Sequence, residues 1–143
     1  MKKIESLESF SFSIGGYSTS IFKIRALYNV AHYEAAIYQG RPEVIRNISY
    51  KDEQLHELVS VLNEIEVLYW EDEYVSDILD GTQWELKLNY NRKKEKKVFG
   101  SNMYPGLKEN SEDPTEIFEQ MIQAFAVFIG EEKFFEERYL YKK

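Results

Sequence analysis

The alternation that begins at Trp84 constrains this chain more than any other feature. Trp84, Leu86, Leu88 and Tyr90 interleave with Glu85, Lys87, Asn89 and Asn91. A strand points successive side chains to opposite faces, so the four large apolar groups fall on one side and the polar groups on the other. This is the pattern of an antiparallel strand with one dry face and one wet face. Asn91-Arg92-Lys93-Lys94-Glu95-Lys96 has no apolar residue and reads as a solvated hairpin loop. Val98 and Phe99 belong to the returning strand. Asp80-Gly81 is a turn dipeptide ahead of the hairpin, Gly100-Ser101-Asn102 favours a turn behind it, and Pro105 cannot donate to a ladder.

These residues also carry a resemblance. Asp80-Gly81-Thr82-x-Trp84-x-Leu86-x-Leu88-x-Tyr90, followed by Gly100-Ser101-Asn102-x-Tyr104-Pro105, resembles a motif pair in a family of small uncharacterised bacterial domains. The resemblance implies a first sheet segment, a helix ending near a Trp (here Trp70), the hairpin, and a second helix. Its layout covers roughly residues 7 to 129, but only the hairpin is specific. It implies a fold and no activity. In that family the last helix follows soon after the Tyr-Pro, whereas this chain inserts Gly106 to Asp113 first.

Phe10, Phe12 and Ile14 alternate with Ser9, Ser11 and Ser13, which predicts a first strand. Gly15-Gly16 breaks it. Thr19 to Leu27 is rich in β-branched and aromatic residues and reads as a second strand, with Phe22, Ile24 and Ala26 on one face. A turn through Tyr28 to Ala31 leads to a third strand from His32 to Gln39. Gly40-Arg41-Pro42 ends it, and Val44 to Ile48 reads as an extended connector.

Ser49 is the expected cap of a first helix, with Asp52 three residues on. Leu55, Leu58, Val59, Leu62, Ile65 and Tyr69 keep the spacing of an amphipathic helix running to about Leu68. Asp113-Pro114-Thr115-Glu116 predicts the start of the second helix, with Asp113 as cap and Pro114 in the first helical position. Ile117, Phe118, Met121, Ile122, Phe125, Phe128 and Ile129 form its stripe, and Gly130 its C-terminal cap.

The expected fold is therefore α+β. An antiparallel sheet of about five strands, in β-β-β-α-β-β-α order, carries two amphipathic helices on one face. Residues 1–130 form a single domain, and 131–143 a C-terminal extension. The extension carries Phe134, Phe135, Tyr139, Leu140 and Tyr141 among balanced charges, so it is expected to be helical and docked. Folding back on the domain is the expected outcome and a homodimer the other one. The expected core joins Phe12, Phe22, Trp84, Leu86 and Leu88 to Leu58, Leu62, Ile117, Met121 and Phe125.

With 143 residues the chain is one domain in size. The absence of cysteine removes disulfides, thiolate metal sites and thiol nucleophiles, and suits a reducing cytoplasm. Glu5 and Glu8 interrupt the N-terminus, so no signal peptide is read there, and no apolar run is long enough to span a membrane. A net charge of −7 argues against nucleic acid as a partner. Between Asp52 and Glu85 there are eleven Asp and Glu and no Lys or Arg. That stretch is either a solvated helix face or a surface that steers a basic partner.

The chemistry-bearing patterns are sparse. There is no phosphate-binding Gly-rich loop, no Gly-x-Ser-x-Gly elbow and no His-Glu-x-x-His helix. Glu71, Asp72, Glu73 and Asp77 are acidic enough for a hard cation but lack the spacing of a calcium loop, so no metal is expected and they are taken as a partner surface. Asp80, Thr82, Ser101, Asn102 and Tyr104 should meet at the open end of the hairpin. They are either turn formers or a ligand-binding cluster. No catalytic residue and no cofactor are expected. The chain reads as a non-catalytic cytoplasmic domain that binds another protein, immunity-like against a basic toxin being one version. The alternative is a small-ligand domain or enzyme using the hairpin cluster.

Overall fold

The computed structural model describes residues 2–16, 21–27, 29–36, 42–76, 82–106 and 109–130. The elements are β1 (Leu7–Gly16), β2 (Ile21–Leu27), β3 (Val30–Ala36), β4 (Pro42–Ser49), α1 (Asp52–Glu64), a 3-10 turn (Val67–Tyr69), β5 (Glu73–Val75), β6 (Thr82–Tyr90), β7 (Lys94–Ser101) and α2 (Glu116–Ile129). The class is α+β with two helices, as expected. The sheet is not the expected five-stranded antiparallel one. It has seven strands in the order β4-β3-β2-β1-β6-β7-β5, and β5 runs parallel to β7.

Each extra strand has a reason that local pattern did not carry. The connector Val44 to Ile48 lies inside β4, which pairs with β3 from Val30↔Ser49 to Ala36↔Pro42. Val44 and Ile45 are adjacent and Arg46-Asn47 follow, so no two-residue period announces that strand. β5 has three residues and exists through its neighbour. Phe99 N–H donates to the Asp72 carbonyl at 2.9 Å, and Ser76 N–H to that of Ser101 at 3.1 Å. The hairpin loop is shorter than expected: β7 begins at Lys94, and Asn91, Arg92 and Lys93 make the turn with φ of 45°, 56° and 64°. The third strand likewise begins at Val30 rather than His32, after Asn29 at φ 66°.

The helix ends also shift. Ser49 is in β4, and Lys51 is the cap of α1, with Gln54 Oε1 accepting from Lys51 N–H at 2.9 Å. α1 stops at Glu64 rather than Leu68, because Glu66 turns left-handed at φ 56° and the chain tightens into the 3-10 turn. Thr115, not Asp113, caps α2. Its hydroxyl accepts from Phe118 N–H at 3.3 Å and donates to the Pro105 carbonyl. Gly130 ends α2 at φ 72°, the left-handed geometry expected of it.

The ten expected core residues are all buried in one cluster. α2 lies over β1 and β6: Phe125 stacks on Phe10 and Phe12 at 5.4 and 5.2 Å, and Phe118 meets Trp84 at 4.8 Å. α1 lies beside α2 and runs the opposite way, since Gln54 near its start donates to the Phe128 carbonyl near the end of α2, at 3.2 Å. Asn63 pins the chain entering β1, accepting from Ile4 N–H at 2.8 Å and donating to its carbonyl at 3.0 Å. Among the described residues no helix is long and apolar enough to cross a membrane.

Candidate functional site

Trp84 organises the hairpin end. It faces the core from β6, and its indole lies across the backbone of Gly100, its register partner on β7. A Cβ at Gly100 would sit 1.9 Å from Trp84 Nε1, so the ring occupies the space a side chain would need. Trp84 Nε1 donates to the Met103 carbonyl at 3.1 Å. Around the ring stand Trp70 at 6.3 Å edge-on, Tyr74 at 6.0 Å and Tyr104 at 6.3 Å, the last nearly parallel at 9°. Trp70 is held from its own side by Nε1 donating to the Ile65 carbonyl at 3.2 Å.

The polar residues of the cluster hold this aromatic stack together. Thr82 N–H donates to Asn102 Oδ1, and Asn102 N–H donates to the Thr82 carbonyl, both at 2.9 Å. Asn102 adopts φ 55°, a conformation Asn tolerates better than most residues. Tyr104 is buried between Trp84 and Phe118, with a side-chain hydrogen bond to Thr82. Burial raises its phenol above the usual value of 10, the Thr82 bond opposes that, and Asp113 adds to it. Ser101 is half-buried at the end of β7, and its carbonyl accepts from Ser76. The structure thus brings Thr82, Ser101, Asn102 and Tyr104 together. Asp80 lies outside the described residues. The inserted Gly106 to Asp113 segment is closed by paired backbone bonds between Tyr104 and Ser111, at 2.7 and 3.0 Å.

Glu71, Asp72 and Glu73 are all exposed and lead into β5, the strand at one edge of the sheet. Asp72 pairs with Lys96 Nζ at 3.5 Å, and Lys96 also donates to the Trp70 carbonyl. Glu71 N–H donates to the Tyr74 hydroxyl at 2.8 Å. Burial raises the Tyr74 phenol; the bond to the Glu71 backbone opposes that, while the Glu71 carboxylate adds to it. Glu73 faces a cleft shared with Glu85, Glu95 and Lys97. Asp77 lies outside the described residues. Among the described residues no three His, Asp or Glu side chains converge as a metal-binding group.

Two surfaces escaped sequence reasoning. The wet face of the sheet is not featureless. Ser11, Ser13, Lys23, Arg25, His32, Glu34 and Glu85 line a polar cleft of about 370 Å³. His32 Nδ1 lies 2.8 Å from Asn47 Oδ1, and its Nε2 lies 3.6 Å from Glu34. The alternation of Ser, Lys and Arg with apolar residues in β1 and β2 was the available signal, but it gives the face and not its cross-strand neighbours. The second surface is a groove of about 340 Å³ between the helices, floored by Leu58, Val61, Ala124, Val127 and Phe128. Neither helix stripe alone reveals it, because it forms only when the two helices lie side by side.

No family model matches the chain, and no curated protein matches it.

Proposed function

We propose that this chain is a non-catalytic, cytoplasmic, protein-binding domain that holds a basic partner against its acidic edge, in the manner of an immunity protein covering a toxin. The proposal includes membership of the family of small bacterial domains whose hairpin the chain resembles. The observation that carries it is the exposure of Glu71, Asp72 and Glu73 along the edge of the sheet. Glu64 and Glu66 are exposed just before them, at the end of α1, which has no basic residue in its last turn. Asp72 shares its charge with Lys96, so Glu71 and Glu73, with Glu64 and Glu66 beside them, carry the attraction for a basic protein. β5 itself is short and charged, which discourages indiscriminate strand pairing. The hairpin cluster supports the reading from the other side, since Thr82 and Asn102 are hydrogen-bonded to each other and Tyr104 is buried against Trp84.

Affinity capture from the native cell tests this, with the wild type and a Glu71→Lys/Asp72→Lys/Glu73→Lys variant as baits. A basic protein retained by the wild type, lost by the variant and weakened by salt supports the proposal. Equal retention of the same protein by both baits contradicts it.

A second reading, a small-ligand domain, has one observation behind it: the wet-face cleft with Lys23, Arg25 and His32 on its walls. A thermal-shift screen of small carboxylates and phosphates tests it. Stabilisation that disappears in Arg25→Ala supports this reading, and no stabilisation removes it.

A further inference from the structure

The groove between α1 and α2 is apolar along its floor and, among the described residues, has no basic residue on its rim. Leu58, Val61, Ala124 and Val127 form the floor, and Glu57 and Glu64 stand along the α1 side. Val127 is 45% exposed there, although its neighbours Ala126 and Phe128 on α2 are buried. An open apolar trough of this kind on a small domain calls for a cover.

We propose that the cover is this chain's own residues 131–143. Three observations point to that occupant. The first is attachment. The segment follows Gly130, whose left-handed φ of 72° turns the chain out of α2 beside Gln54, at one end of the groove. The second is length. Thirteen residues span about 20 Å as a helix, and the groove follows α1 from Gln54 to Glu64, about 15 Å at the same rise. The third is the order of charges. Four of the first seven residues are acidic (Glu131, Glu132, Glu136 and Glu137) against one basic, Lys133, while Arg138, Lys142 and Lys143 come last. A segment leaving the Gln54 end and running along α1 brings Arg138, Lys142 and Lys143 to Glu64 and Glu66. There α1 presents its negative dipole end and no basic residue of its own. Phe134, Phe135, Tyr139 and Leu140 supply apolar side chains to cover that apolar floor. Tethering at Gly130 holds the segment at a local concentration on the order of millimolar, so a weak contact suffices.

The test uses the full chain, which has no cysteine and therefore accepts a single spin label at Lys143→Cys. Paramagnetic broadening should concentrate on the amides near Glu64 and Gln120, the far end of the groove. It should disperse in Val127→Lys, which places a charge on the groove floor at an exposed position, and in Phe135→Ser/Leu140→Ser. Even, weak broadening across the molecule overturns the proposal, as does broadening centred on the wet sheet face. Mixing spin-labelled, isotopically silent chain with unlabelled, isotopically enriched chain separates the remaining occupant. Groove broadening of equal strength in that mixture means the segment of a second copy fills the groove, and also overturns the proposal.

Discussion

Gly100 and Asn102 fix the hairpin end through different physics. At Gly100 the constraint is space. Gly100→Ala forces the new methyl into the Trp84 indole, and overpacking of this kind costs about 1–3 kcal/mol. Thermal unfolding should show it, with tryptophan fluorescence reporting the displaced ring. At Asn102 the constraint is conformation and pairing. Asn102→Ala keeps φ 55° with a poorer residue and leaves Thr82 N–H without its side-chain acceptor, for a loss of about 1–3 kcal/mol by chemical denaturation. The buried tyrosines add a pH dependence. Tyr33, Tyr74 and Tyr104 are all raised above the usual 10 chiefly by burial. A group raised in the folded state binds its proton longer there than in the unfolded chain. Stability from these tyrosines is therefore complete below pH 10 and falls as pH rises above it. Absorbance titration of tyrosinate should show these three phenols ionising late, together with unfolding.

Elements were legible in the sequence where one face is dry and the other wet. β1, β2 and β6 alternate because their apolar sides meet α2 or its neighbours, and α1 and α2 carry stripes for the same reason. β4 and the start of β7 were not legible. They are extended because a neighbouring strand pairs with their backbone, and pairing across the sheet leaves no period in the sequence. Helix starts failed similarly. Asp113-Pro114 is a good local start, yet Thr115 wins the cap because its hydroxyl also reaches Pro105, a partner set by the hairpin exit. Thr115→Ala should therefore destabilise the fold by about 1 kcal/mol or somewhat more. Asp113→Ala should change far less, which paired denaturant titrations would resolve. In α1, Leu62 is fully buried in the core, and Leu62→Ala should cost about 2–5 kcal/mol. Of the candidate site, the meeting of Thr82, Ser101, Asn102 and Tyr104 was legible, because a hairpin returns its ends to one place. Their engagement with Trp84 was not, since it depends on the indole lying across Gly100 and on Tyr104 reaching the same ring.

Across the whole molecule, the chain's signals fall into two groups. The hairpin pattern builds the aromatic stack that joins sheet to α2, and the edge carboxylates are the surface proposed for a partner. The two adjoin at Trp70 and Tyr74, which pack on Trp84 and flank Glu71, Asp72 and Glu73, but the stack is buried while the three carboxylates are exposed. Variants of the two groups should accordingly part company. The most direct measurement is the dissociation constant of the captured basic partner for wild type, Glu73→Lys and Asn102→Ala, each paired with a melting temperature. The account predicts that Glu73→Lys weakens binding by about tenfold with melting unchanged, as loss of a charge complementary to the partner should. It predicts that Asn102→Ala lowers the melting temperature and leaves the affinity of the folded protein unaltered. Intact binding by Glu73→Lys, together with lost binding by a fully folded Asn102→Ala, would contradict the account and place the working surface at the hairpin.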